Sequence, residues 1–177
     1  MRTVRALVRR IRDPRWDRVV LMAAIVMFAV ARAGRFEERD PYWQVRAGAE
    51  NLAGLPLARP DSWSWSPVAG DWYQNSAGWN DVLALAFQGA GYWGIFAVTA
   101  AMIAGYLCLV AVLAQRLGAR TLPGMAGMVV LIAGSLSMLS PRATLVVQVV
   151  ILAALALADS WARAWSKRLP AWAGGAF

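Results

Sequence analysis

The chain has 177 residues, of which 59% are hydrophobic and only 16% charged, and it carries a formal net charge of +8. Soluble domains run at about 45–50% apolar and about 25% charged, so this composition excludes an ordinary water-soluble protein. A single cysteine, Cys108, and no histidine exclude an intrachain disulfide, a Cys/His zinc site and any histidine-based triad or general base.

Residues 1–18 form a basic leader, expected to rest on anionic lipid at the cytoplasmic face. Residues 19–33 read as the first transmembrane helix. Counted from Trp16 to Ala33 it would span about 27 Å, enough for hydrocarbon with Arg18 and Arg32 snorkelling. A signal peptide is the rival reading, from the basic start, the apolar core and the triplet Ala31-Arg32-Ala33. Both readings put the chain from Gly34 onward on the outer side.

Residues 34–92 read as an outer, Trp-rich loop with short helices. Gly34 to Asn80 is far longer than the usual connection of about 4–6 residues, and its Trp content argues for order. Asp40-Pro41 predicts a helix start with Asp40 as N-cap; Trp43, Ala47 and Leu52 share a face, and Gly54 ends the helix. Ser62-Trp63-Ser64-Trp65-Ser66 alternates, predicting a strand with both indoles on one side. Ala69-Gly70-Asp71 turns the chain, and Trp72-Tyr73-Gln74 is its expected partner. Asn75 or Ser76 is expected to cap a helix carrying Trp79.

Gly89, Gly91 and Gly94 are expected to break the next apolar stretch into a short helix, Asp81 to Gln88, and a second span from about Trp93 to Leu113. A third span, Leu122 to Leu139, and a fourth, Ala143 to Trp161, are separated by Ser140-Pro141-Arg142. Residues 93–161 thus hold spans two to four, and 162–177 a cytoplasmic end. The predicted fold class is an all-α membrane protein of about four transmembrane helices, with a long, partly helical outer loop between the first and second.

This topology divides the charge. Twelve Lys/Arg and three acids (Asp13, Asp17, Asp159) fall inside, against six Arg and seven acids outside. The positive excess predicts a multi-pass protein of the plasma membrane with both termini cytoplasmic. It also accounts for the +8 without nucleic acid as a partner. Five tryptophans (Trp43, Trp63, Trp65, Trp72, Trp79) gather on the outer side among carboxylates. They suit an interfacial belt on the lipid headgroups. A platform for sugar rings is the competing reading, and the two are compatible.

The run Asp40-Pro41-Tyr42-Trp43-Gln44-Val45-Arg46-Ala47-Gly48 is followed by Gly54-Leu55-Pro56, Pro60-Asp61-Ser62-Trp63-Ser64, Gly70-Asp71-Trp72 and Trp79. This order resembles the first outer loop of bacterial, actinobacterial-type GT-C membrane proteins over roughly residues 16–160. The resemblance implies a glycosyltransferase that takes a sugar from a polyprenyl-phosphate donor at the outer face and passes it to an envelope acceptor. It further implies that Asp40 acts at the reacting centre, where a carboxylate can serve as general base. Arg142, at the outer turn before the fourth span, is the candidate for the lipid phosphate. Asp61, Trp43, Trp63, Trp65 and Trp72 are candidates for the sugar. Gln44 stands where many relatives carry His, so no metal ligand is assigned; a divalent metal stays open, and no other cofactor is implied. Members of the group have more spans, so the chain reads as the N-terminal part of a longer protein, inactive as an isolated fragment. Simpler roles stand beside these: Asp40 as helix cap, Asp61 as turn residue, Arg142 as a snorkelling cation. The alternative function is a non-catalytic membrane assembly or carrier component with a Trp-rich outer lid.

Overall fold

A computed structural model describes residues 14–34, 40–63, 70–119 and 136–166, with single positions between 119 and 136. Within these residues the chain is mostly helical, with five α-helices: α1 (Pro14–Ala33), α2 (Asp40–Leu52), α3 (Ala77–Ala90), α4 (Tyr92–Arg116) and α5 (Ala143–Ser166). Two short strands, β1 (Ala58–Pro60) and β2 (Asp71–Tyr73), lie between α2 and α3.

Two helices, α4 and α5, are long and apolar enough to cross a membrane. In α5 only 6% of the most apolar stretch is buried, and Val147, Val150, Ile151, Leu155 and Leu157 are all exposed. Water would make so much exposed aliphatic surface costly, whereas hydrocarbon would not. On α1, Leu21, Ile25, Ala29 and Ala33 are buried at four-residue spacing, while Val19, Val20, Met22, Val26, Met27 and Val30 are exposed. That helix also carries Asp17, Arg18 and Arg32, so it is less purely apolar than α4 and α5.

The glycine cluster acts differently from the expected threefold break. Gly89 lies inside α3, and Gly91 alone makes the bend at φ 57°, donating its N–H to the Phe87 carbonyl at 2.7 Å. Gly94 belongs to the first turn of α4, and a Cβ there would overlap the Ala86 carbonyl. It is therefore a contact residue, letting α4 fold back onto α3. The predicted third span lies almost wholly outside the described residues. Its end, Leu136–Met138, is a 3-10 turn.

The chain divides into two compact units. One comprises Met1–Val26, Ala104–Ser135 and Val147–Phe177; the other comprises Met27–Ile103 and Leu136–Val146. In the first, charged groups at the end of α4 are tied to α5. Arg116 Nη1 reaches the Ala156 carbonyl at 2.9 Å, the Ser160 hydroxyl at 2.6 Å and Asp159 at 3.2 Å. Arg163 grips Asp159 through Nε at 2.9 Å and donates to the Arg116 carbonyl at 3.0 Å, placing a cation where the end of a helix leaves carbonyls unpaired.

The second unit has a core of Trp79, Leu83 and Ile95, flanked by Val45, Phe87, Val98, Met102, Ala143 and Val146. Helices α2 and α3 approach so closely at Gly48 that a Cβ there would overlap the Asn80 carbonyl. Helix α2 stops as expected at Gly54 (φ 85°): Gly54 N–H bonds to Asn51 O at 2.8 Å and Leu55 N–H to Glu50 O at 3.1 Å, the paired bonds of a Schellman cap. An amide network then ties α2 and α3 to Gln74, the residue after β2. Asn51 Nδ2 donates to Gln74 Oε1 and Asp81 Oδ1, each at 2.9 Å, and Asn80 Nδ2 donates to Gln74 Oε1 at 3.0 Å.

The hairpin differs from expectation. Strand β2 pairs antiparallel with β1, with Ala58 opposite Tyr73, Arg59 opposite Trp72 and Pro60 opposite Asp71. The expected partner, residues 62–66, is not in strand at 62 and 63, and its remainder lies outside the described residues. Pro60, which has no N–H to give a ladder, marks the end of β1.

Candidate functional site

Helix α2 sets the site through spacing. Asp40, Trp43, Arg46 and Glu50 follow at intervals of three, three and four, which keeps them on one side of the helix. Asp40 is the first residue of the helix, and both its carboxylate oxygens are engaged by side chains. Its Oδ2 lies 3.0 Å from Arg142 Nη2, and its Oδ1 accepts the Trp43 indole N–H at 3.4 Å. Two of the three sequence-nominated charged residues, Asp40 and Arg142, 102 positions apart, therefore meet as an ion pair. Arg142 is held there by its turn: its N–H bonds to Ser140 O at 2.7 Å, and its carbonyl accepts the Leu145 N–H at 3.1 Å to start α5. Trp79, buried in the core, donates its indole N–H to the Pro141 carbonyl at 3.3 Å, fixing the same turn from below.

From Trp43 the aromatic groups run on. Its ring stands edge-on to Trp72, with centroids 5.8 Å apart and planes at 84°, and Trp72 lies 5.1 Å from Trp63. Cross-strand pairing explains the next contacts, because directly opposed residues in an antiparallel pair share a face. Arg59 and Trp72 are such a pair. The buried Arg59 stacks on Trp63 at 5.5 Å, and Arg46 stacks on Trp63 at 5.0 Å, both within the range of cation–π attraction. Glu50 joins the cluster, with one oxygen 2.7 Å from Arg59 Nη2 and the other accepting the Trp63 indole N–H at 3.3 Å.

Of these groups Trp43, Trp63 and Trp72 line a cavity of about 390 Å³, together with Asp61, Tyr73 and Asn75. Asp61 has two duties. Its Oδ1 accepts the Trp63 backbone N–H at 2.9 Å, an Asx turn, and the residue also lines the cavity. The nominated residues Trp43, Trp63, Trp72 and Asp61 are thus brought to one place, Asp40 and Arg142 adjoin it through Trp43, and Trp65 lies outside the described residues. Among the described residues no three Asp, Glu, Cys or His side chains converge. Gln44 is buried on the face of α2 that also bears Gly48.

Sequence reasoning missed Arg46, Glu50, Arg59, Tyr73 and Asn75. The first two carry a legible signal, their helical spacing from Trp43. Arg59 becomes visible only once the β1–β2 register is known.

Chemically, the arrangement offers flat aromatic faces with polar edges beside an exposed carboxylate–guanidinium pair, each side chain about two-fifths exposed. A surface pair of this kind holds only about 0–1 kcal/mol, so a competing charged group can open it. Compared with known protein families, curated proteins and solved structures, the chain has no match.

Proposed function

We propose that the protein is a GT-C-like glycosyltransferase of the cell membrane. It would cross the bilayer about four times, with both termini cytoplasmic, and transfer a sugar from a polyprenyl-phosphate donor to an envelope acceptor at the outer face. The observation that carries this reading is the Asp40–Arg142 pair at 3.0 Å, adjoining the tryptophan-lined cavity through Trp43. The donor phosphate displaces Asp40 from Arg142, which grips the phosphate oxygens bidentately. The sugar stacks against Trp43, Trp63 and Trp72, with Asp61 accepting its hydroxyls. Asp40, now unpaired, takes the proton of the acceptor hydroxyl as that oxygen bonds to the anomeric carbon. The carbon–oxygen bond to phosphate breaks, and the electron pair leaves with the lipid phosphate, whose charge Arg142 neutralises.

The test is Asp40→Asn in the full-length protein in its native membrane. Transfer is expected to fall by about 10²–10⁴-fold, the usual contribution of a general base, with donor binding kept. Undiminished transfer at normal stability removes Asp40 from the chemistry. It would favour the second reading, a non-catalytic membrane assembly or carrier component whose Trp-rich lid is pinned by this ion pair. That reading is supported by the engagement of both Asp40 oxygens, one with Trp43 and one with Arg142.

A further inference from the structure

A second cavity lies on the other side of α2 and has a different character. It measures about 430 Å³ and is walled by Val45 and Ala49 of α2, Ala84 and Phe87 of α3, and Ile95 of α4, with Arg46 at its rim. This volume falls within the range of about 300–1,000 Å³ typical of small-molecule sites, and its walls are mostly apolar, with Gln88 of α3 the amide among them. Tyr42 and Tyr92, both exposed, meet edge-on at its mouth with centroids 6.2 Å apart. Tyr92 is also the first residue of α4, so the mouth stands where an apolar span begins, the level at which Tyr gathers in membrane proteins.

Arg46 is the surplus charge of its cluster. Glu50 is paired with two guanidinium groups, Arg59 at 2.7 Å and Arg46 at 3.2 Å, which leaves the triad with one net positive charge. Arg46 uses only Nε for that contact, and among the described residues nothing bonds its two terminal nitrogens. Its side chain is 60% exposed. An apolar slot with an unspent guanidinium fork at its rim matches an anionic amphiphile, with the chain in the slot and the phosphate on the fork.

We propose that this cleft holds one acyl chain of an anionic phospholipid of the bilayer, whose phosphate is gripped by Arg46. The inference rests on reading α4 as a membrane span but is independent of the sugar chemistry at Asp40. Arg46 also stacks on Trp63, so the bound lipid would brace the wall of the tryptophan cavity.

The test uses the whole chain in detergent micelles containing equal amounts of phosphatidylglycerol and phosphatidylcholine, with retained lipid read by native mass spectrometry. One phosphatidylglycerol per chain is expected. Retention is expected to fall about tenfold in Arg46→Ala, from loss of the charge-assisted contact, and also in Ala49→Phe, which fills the slot. Both variants should keep the wild-type far-ultraviolet circular dichroism, which shows that the helices walling the slot are intact. Equal retention of the two lipids, or undiminished retention in Arg46→Ala, overturns the proposal. One-for-one displacement by a polyprenyl phosphate also overturns it, since the cleft would then belong to that lipid. Resistance of the chain to alkaline extraction from membranes, scored separately, distinguishes failure of this site from failure of the membrane reading.

Discussion

Gly48 shows how much a single position can decide. It lets the backbone of α2 lie directly against the Asn80 carbonyl of α3, and α2 carries Asp40, Trp43, Arg46 and Glu50. Gly48→Ala would force the helices apart, and such overpacking costs typically about 1–3 kcal/mol. A lower melting temperature is expected, with altered tryptophan fluorescence as the Trp43–Trp72 contact shifts. An unchanged melting curve would show that the two helices are not in such close contact. Residue roles were only partly legible in the sequence. Asp40 before Pro41 is a good cap by local rules, but its carboxylate is claimed by Trp43 three residues on and by Arg142 far along the chain. Local propensity shows where a helix begins; it does not show which distant cation its first side chain will meet. Gln44 was equally opaque, because burial on the α2–α3 face is fixed by a neighbouring helix rather than by its own sequence surroundings.

At the scale of elements, α2, α3, α4 and α5 were legible because each has long-range periodicity or an apolar run, bounded by recognisable stops such as Gly54 and Gly91. The hairpin was half legible. Trp72 and Tyr73 are in a strand as expected, but the alternation of Trp63 and Trp65 pointed to the wrong partner. The true partner, Ala58-Arg59-Pro60, has no alternating apolar pattern, because what it buries is a guanidinium paired with Glu50. That pairing yields a prediction at this scale. Arg59→Met keeps the length and the apolar stem but leaves Glu50 without its shortest partner. Hydrogen bonds to charged groups contribute about 1.5–3 kcal/mol, so a loss of roughly that size is expected in denaturant unfolding, together with a shift in Trp63 emission. A loss below about 0.5 kcal/mol would mean that Arg46 alone satisfies Glu50.

For the whole molecule, the composition that excluded a soluble protein has its physical counterpart in the exposed apolar faces of α1 and α5. Insertion of α5 is therefore sensitive to charge at its centre. Ile151→Arg places a cation among Val147, Val150 and Leu155, and the cost at a helix centre is about 2.5–3.5 kcal/mol on the biological insertion scale. A glycosylation-mapping assay is expected to show markedly reduced insertion of this helix, whereas Ile151→Leu should behave as wild type. Equal insertion of Ile151→Arg would mean that α5 does not meet lipid. Among the sites, Asp40, Arg142, Asp61 and the tryptophans were foreseen as the residues of one site. Their convergence depends on the turn at Ser140-Pro141-Arg142, anchored by Trp79.

The central claim is that Asp40, Arg142 and the tryptophan cavity form one site for a sugar phosphate. Titration of the protein with a short-chain polyprenyl-phosphate sugar, followed by tryptophan fluorescence, tests it most directly. Saturable quenching is expected in the wild type, with affinity about 10–100-fold weaker in Arg142→Ala and the signal largely lost in Trp72→Ala. Wild-type affinity in Arg142→Ala, or no saturable response in the wild type, would contradict the claim.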